Sequence, residues 1–373
     1  MLKALASVFK QEFKQHTYGA FGIPNERDIA TALHASELMF TKLGSDQIQA
    51  VAIFKILKSA SAHEDFSGRQ CQIKAGDVLV RYIAGTYAGM EKLIQSLIEK
   101  CPGRALWVEC HQEISAIKLL LQSNNFSQIM VKISASSDIK GLYLRGDHSG
   151  RLPKGMETAD VPSMKQLCAE FITADQRDRF ITDLRNYEAT KPWAQHYSSY
   201  NKRQSWTAFA LHGYDQQDPS FIIKPSEMSR KWKEENPARL QLKCGPTPAS
   251  VAMSETWVEV QKIIPCRFQR VRLMRLSSKG GELTRHADIT DPEAGTRDGQ
   301  IARLHIPLQT NPGCEFRSWD MDGREHRIHF AERGLYYLDT RKPHAVQNKS
   351  DADRIHLVCD VYSNSWVREL ING

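Results

Sequence analysis

The chain has 373 residues, of which 41% are hydrophobic and 25% charged, with a formal net charge of +7. Those ordinary fractions argue against disorder, and the length is enough for two domains with sizeable cores. No apolar run approaches the roughly 20 residues that a membrane helix requires. The modest basic excess also lacks the concentrated stripe, interleaved with aromatics, of a nucleic-acid surface. Its nearest approach, 224–243, holds Arg230, Lys231, Lys233 and Arg239 but is interrupted by Glu227, Glu234 and Glu235, and reads as a solvated, partly helical connector.

At the start, the apolar run is soon broken by Lys10, Glu12 and Lys14, which favours an amphipathic helix over a secretory signal. The eight cysteines are scattered without a Cys-x-x-Cys pair, which suits a reducing cytoplasm. Residues 26–43 have helical spacing, 48–59 and 71–84 contain strand-like runs, and 90–100 reads as an amphipathic helix closed by Pro102-Gly103. A buried strand at 105–110 and a helix at 113–121 follow, the helix running into Ser123-Asn124-Asn125-Phe126.

This order of elements over residues 1–150 resembles the GNAT acetyltransferase fold, which implies a mixed α/β domain. Acetyl transfer would need a glycine turn whose N–H groups hold a pyrophosphate. In Ile83-Ala84-Gly85-Thr86-Tyr87-Ala88-Gly89-Met90 the glycines are loosely spaced and the leading basic residue is missing. The expectation is therefore a degenerate domain used for substrate presentation or dimer contact.

Residues 151–255 read as a helical connector with accessory strands. Leu167, Phe171, Phe180, Ile181 and Leu184 share one face of a helix expected over 162–187. Trp193, Tyr197, Tyr200 and Trp206 then cluster near His196 and Lys202. Aromatics at this density belong to a core, with a substrate-pocket wall as the alternative.

Residues 256–373 are rich in strands, at 269–276, 301–309, 334–338 and 354–362, separated by Gly, Pro, Asn and Asp clusters. His286 and Asp288 stand two apart, on one face of a strand end, with His344 as a distant second imidazole. Two imidazoles and a carboxylate are the facial ligand set of a non-haem Fe(II) oxygenase, leaving open positions for co-substrate and O2. Ten residues beyond His344, Arg354 shares a strand face with His356. A charged Arg facing the inside of a barrel needs an anion, which the distal carboxylate of 2-oxoglutarate would supply.

The stretches Arg285-His286-Ala287-Asp288, Ala302-Arg303-Leu304-His305-Ile306-Pro307-Leu308, Gly334-Leu335-Tyr336-Tyr337-Leu338-Asp339, Pro343-His344-Ala345-Val346-Gln347-Asn348 and Arg354-Ile355-His356-Leu357-Val358 occur in that order. Over about 255–368 the chain resembles the aspartyl/asparaginyl β-hydroxylase family and its proline-hydroxylase relatives, which are Fe(II)/2-oxoglutarate dioxygenases. The resemblance implies an α+β protein of two domains, the C-terminal one a double-stranded β-helix (a cupin-like jelly roll). It implies Fe(II) on His286, Asp288 and His344, 2-oxoglutarate on Arg354 with help from Arg303 and His305, and O2 as second co-substrate. Retention of the carboxylate ligand favours hydroxylation over halogenation.

Other residues read as structural. His326 and His329 lie on opposite strand faces, Asp339 belongs to a turn or supports a ligand, and Asn348 supports a ligand or touches substrate. Arg275 and Arg285 flank the first metal strand as solvated charges or anion contacts. The function expected is hydroxylation of an amino-acid unit, free or peptidyl, coupled to conversion of 2-oxoglutarate to succinate. The alternatives are a bifunctional or binding protein whose N-terminal module performs acyl transfer or partner recognition, or a dioxygenase acting on a nucleic acid or another small metabolite. Oligomeric state is not legible.

Overall fold

The computed structural model describes residues 26–34, 38–43, 47–64, 70–111, 115–133, 139–146, 161–191, 193–198, 201, 203–288 and 293–373. The helix expected near the start, Tyr200 and Lys202 lie outside these residues. The chain divides into two compact units, one of residues 1–157 with 321–324 and one of residues 158–320 with 325–373.

The first unit contains α1 (Glu26–His34), β1 (Leu38–Leu43), β2 (Gln47–Ile56), the β3–β4 hairpin (Ser61–Glu64, Gln70–Ile73) and β5 (Val78–Gly85). It continues with α2 (Tyr87–Lys100), β6 (Leu106–His111), α3 (Ser115–Ser123), β7 (Ser127–Ile133) and β8 (Ile139–Arg145). Six strands form one sheet in the order β1-β2-β5-β6-β8-β7, antiparallel except for β5 and β6. That parallel pair needs a crossover, which α2 provides. Met90, Leu93, Ile94 and Leu97 recur at helical spacing along its buried face.

The single helix expected over 26–43 is instead a short helix and a strand. Leu38 and Phe40 alternate along β1 and pack, with Ile48, against Ile29 and Ala32. The glycines before and within the first turn of α2 are explained by close packing: a Cβ at Gly85 would lie against the Gln49 carbonyl oxygen, and one at Gly89 2.9 Å from the Ala50 Cβ. Thr86 caps α2 by accepting from the Gly89 amide at 3.2 Å. The turn is thus built to lie against β2.

The second unit holds β9 (Met164–Cys168), α4 (Ala174–Glu188), β10 (Ala194–Gln195), β11 (Trp206–Gly213), the short helix α5 (Arg230–Glu235), β12 (Gly245–Pro246), α6 (Pro248–Ala252) and α7 (Ser254–Ile263). Eight strands follow: β13 (Phe268–Leu276), β14 (Gly281–His286), β15 (Ile301–Gln309), β16 (Cys314–Trp319), β17 (Glu325–Ile328), β18 (Leu335–Leu338), β19 (His344–Asn348) and β20 (Arg354–Tyr362). Helix α8 (Ser365–Asn372) ends the chain.

The major sheet contains β13-β20-β15-β18 and the minor sheet β14-β19-β16-β17, so the eight strands wind as a double-stranded β-helix. Strands β10 and β11 extend the major sheet beside β13, and β9 extends it beyond β18. Outward side chains such as Val271, Leu273, Leu304 and Ile306 pack with Phe180 and Leu184 of α4 and Val260 of α7. Inward ones such as Met274 and Leu276 meet Leu283, Phe316 and Val346 of the minor sheet. Period-2 alternation therefore gives the major sheet one dry outer face and one inner face available for chemistry.

The helix expected over 162–187 begins only at Ala174. Thr173 and Gln176 form a reciprocal capping box that fixes this start. Upstream, Met164 to Cys168 satisfy their backbone by pairing with β18. The helical spacing of Leu167 and Phe171 was accidental.

Candidate metal centre

β14 and β19 run antiparallel, and His286, the last residue of β14, is the direct partner of His344, the first of β19. Their rings lie 4.3 Å apart between centroids. Asp288, two residues past His286, is fixed by its own N–H donating to the Thr340 carbonyl at 2.7 Å. The ligand-capable atoms of these three side chains all lie within 4.8 Å of one another.

Each imidazole is oriented through its back edge. His286 Nδ1 meets the Thr284 carbonyl at 2.7 Å and His344 Nδ1 the Lys342 carbonyl at 2.9 Å. A carbonyl oxygen can only accept, so Nδ1 carries the proton and the Nε2 lone pair is left for a metal. Burial, with the His344 ring beside it, pushes His286 down to about 3, and burial lowers His344 as well. Both stay neutral, as a ligand must. Burial works to raise the Asp288 carboxyl, but Arg303 and the two imidazoles outweigh it and hold it at about 2.

The three groups open onto a cavity between the sheets, walled by apolar side chains such as Met274, Leu283, Phe316 and Val346. Arg354 lines it and is 2% exposed. Among the described residues no carboxylate lies within ion-pair distance of its guanidinium. Nε has no hydrogen-bond partner, and the nearest compensation is the Phe316 ring at 5.2 Å. His305 and His356 are stranded beside it. Their Nδ1 atoms lie 3.4 Å apart and both Nε2 atoms are buried without a partner.

Arg303 and His305 share the inner face of β15, as their spacing predicts. Arg303 is committed to protein carboxylates: Nη1 donates to Asp288 Oδ2 at 2.9 Å and Nε to Asp360 Oδ1 at 2.7 Å. It holds the Asp288 carboxylate in place. Asn348 donates to the carbonyls of Leu276, Ser277 and Ala352 and braces the strand ends, while Asp339 is clamped by Arg341. Arg275 stacks over Trp193 and Arg285 over Trp319, and neither lines the cavity.

Sequence reasoning overlooked Arg270, Arg272 and Asp360, and read Glu227 only as a break in a basic run. All but Asp360 line the cavity, and Asp360 ties the arginines together. The available signal was alternation. Arg270 and Arg272 face opposite to Val271 and Leu273, and Asp360 shares the strand face of Arg354. Of the aromatic cluster, Tyr197 and Trp206 are cavity wall and stack on either side of His196, whereas Trp193 packs with Phe209 in the outer core.

The donor set fits ferrous iron, with two neutral imidazole nitrogens and one ionised carboxylate. The stranded polar atoms of Arg354, His305 and His356 fit an anionic, hydrogen-bonding co-substrate in the same cavity. The sequence profile of the family described as aspartyl/asparaginyl beta-hydroxylase matches residues 177–364. The match begins earlier than the motifs alone had suggested, taking in most of α4 and all of β11. No curated protein matches the chain. Similar solved structures include a Pseudomonas putida prolyl-4-hydroxylase (14% identity over 54% of this chain and 93% of that one, TM-score 0.30). Others are a Burkholderia pseudomallei oxidoreductase of the 2OG-Fe(II) oxygenase family (11%, 54% and 84%, 0.35) and a Trichoplax adhaerens prolyl hydroxylase in complex with a peptide fragment (11%, 54% and 82%, 0.32).

Proposed function

Since the chain belongs to the aspartyl/asparaginyl β-hydroxylase family and is an Fe(II)- and 2-oxoglutarate-dependent oxygenase, we propose that it hydroxylates a C–H bond of an amino-acid unit, free or within a peptide. In this reading His286, Asp288 and His344 hold the iron, and Arg354 receives the distal carboxylate of 2-oxoglutarate. The observation that carries it is the convergence of these three groups at a cavity that also contains a buried guanidinium without a carboxylate partner. When bound, iron and 2-oxoglutarate supply the oxidising power, O2 being consumed as the co-substrate is converted to succinate and CO2.

The protein's own part is positional. The Thr284 and Lys342 carbonyls lock the two imidazoles with Nε2 forward. Arg303 donates to Asp288 Oδ2 and so fixes the direction in which the carboxylate is presented to the metal. A bidentate guanidinium contact at Arg354 sets the reach and direction of the co-substrate. The apolar wall of Met274, Leu283, Phe316 and Val346 keeps water from the reacting C–H bond.

The test is direct. Purified protein should bind one Fe(II) and form succinate from 2-oxoglutarate slowly without substrate and faster with it. His286→Ala and His344→Ala should each weaken iron binding by roughly 100-fold or more, since each removes one of three protein ligands. Full iron occupancy in both variants would refute the ligand assignment.

A further inference from the structure

Asp360 is one buried carboxylate serving three buried guanidiniums. Arg270 Nε and Arg272 Nη2 donate to its Oδ2 at 3.0 and 2.9 Å, and Arg303 Nε to its Oδ1 at 2.7 Å. Arg303 is otherwise engaged with Asp288, and Arg270 comes within 3.8 Å of Glu227. Arg272 has only its share of Asp360. Its side chain is 3% exposed and its Nε is buried with no hydrogen-bond partner. Burial and repulsion from Arg270 push its guanidinium down to about 10, and Asp360 recovers only part of that loss. It remains a cation at neutral pH, but an under-compensated one.

Arg272 lines the cavity, and its partner across the sheet on β11 is Ala210, whose small side chain claims little of the space beside it. The group therefore meets the conditions for an anion receptor: buried charge, an unused donor, and access from the cavity. Arg354, on the same strand face of β20 as Asp360 but six residues away, is separate from this cluster, so the cavity carries two under-compensated positive positions. Glu227 lines the cavity near Arg270, its carboxylate accepting from the Tyr197 hydroxyl at 3.3 Å. Opposite charges thus meet on one side of the cavity.

We propose that Arg272, supported by Arg270, receives the carboxylate of the organic substrate and that Glu227 faces its ammonium group, which makes the substrate a free α-amino acid. A residue inside a polypeptide has neither charge on its backbone: an uncharged one would leave the Arg272 Nε without a partner, and an aspartyl one would offer Arg272 its side-chain carboxylate but give Glu227 no ammonium group to face. The inference rests on the assignment of iron to His286, Asp288 and His344 and of 2-oxoglutarate to Arg354.

The experiment measures succinate release by the Fe(II)-loaded protein at saturating 2-oxoglutarate. Its probes are each of the proteinogenic L-amino acids, the corresponding α-amides, and an aspartyl peptide capped at both ends. At least one free amino acid should stimulate release about tenfold more than its amide. Arg272→Met should raise the KM for that amino acid by roughly 100-fold, the scale expected for losing one member of a buried charge pair. The KM for 2-oxoglutarate should move less than about threefold. Anaerobic calorimetry gives a readout independent of turnover: binding of the amino acid should be lost in Arg272→Met and partly retained in Arg272→Lys. Because Asp360 keeps Arg270 and Arg303 in either variant, folding has a remaining anchor, and Glu227→Gln, at a partly exposed position, should raise the same KM by about tenfold. An amide as effective as its acid, stimulation by the capped peptide alone, or an unchanged KM in Arg272→Met overturns the proposal. Absence of any Fe(II)-dependent succinate overturns the assignment of the site as well.

Discussion

Arg354 sits where an isolated charge is most costly, enclosed between two sheets with a ring rather than a carboxylate for company. Replacing it with Met removes an uncompensated buried cation and fills similar volume. Arg354→Met should therefore melt no lower than the parent when both lack 2-oxoglutarate. With co-substrate present the same variant should show a KM for 2-oxoglutarate raised by roughly 100-fold and an Fe(II) affinity changed little. Thermal melts and initial rates check the two halves separately, and an unchanged KM would refute the carboxylate contact. This residue, like the His286, Asp288 and His344 set, was legible because a charged or ligating side chain within strand-like sequence demands a partner. Arg270, Arg272 and Asp360 carried the same signal, but their meaning depends on β13 and β20 being neighbours. Residues 90 positions apart gave no hint of that.

The turn that leads from β13 in one sheet into β14 in the other aims His286. Lys279 and Gly280 both have positive φ, at 55° and 99°, and a Cβ at Gly281 would lie 2.1 Å from the Ser277 carbonyl oxygen. Gly281→Ala must push β14 away from its turn. The register between Leu283 and His286 is already irregular, so the displacement should reach the imidazole. The expected result is a lower melting temperature and Fe(II) binding weakened by about tenfold, read by metal titration. The four barrel strands of the major sheet, β13, β15, β18 and β20, were visible from alternation and turn residues. β9 was not, because five residues on a sheet edge hold too little pattern to compete with the helical spacing around them. Its identity is set by β18, a partner far along the sequence.

The barrel as a whole buries more imidazole than its metal requires. His196, His305 and His356 are all held below the usual histidine range, burial being the largest cause in each and neighbouring arginines adding to it. Their folded pKa values lie below the unfolded value of about 6.5, so the unfolded chain binds more protons once the pH drops past that point. The stability they contribute is complete above pH 6.5 and is lost as the pH falls. Between pH 7 and 5.5 each removes about 1 kcal/mol, and the iron-free protein should melt several degrees lower at the acidic end. A flat or rising melting temperature over that interval would contradict the neutral, buried state of these rings.

β14 forms one border of the minor sheet, and its last residue is the cross-strand partner of His344. A cation held by both imidazoles would act as a clasp there, fastening a border strand whose outer backbone has no sheet neighbour among the described residues. Supply of ferrous iron would then govern how tightly this flank stays shut, so that scarcity of the metal threatens the enzyme's integrity along with its turnover.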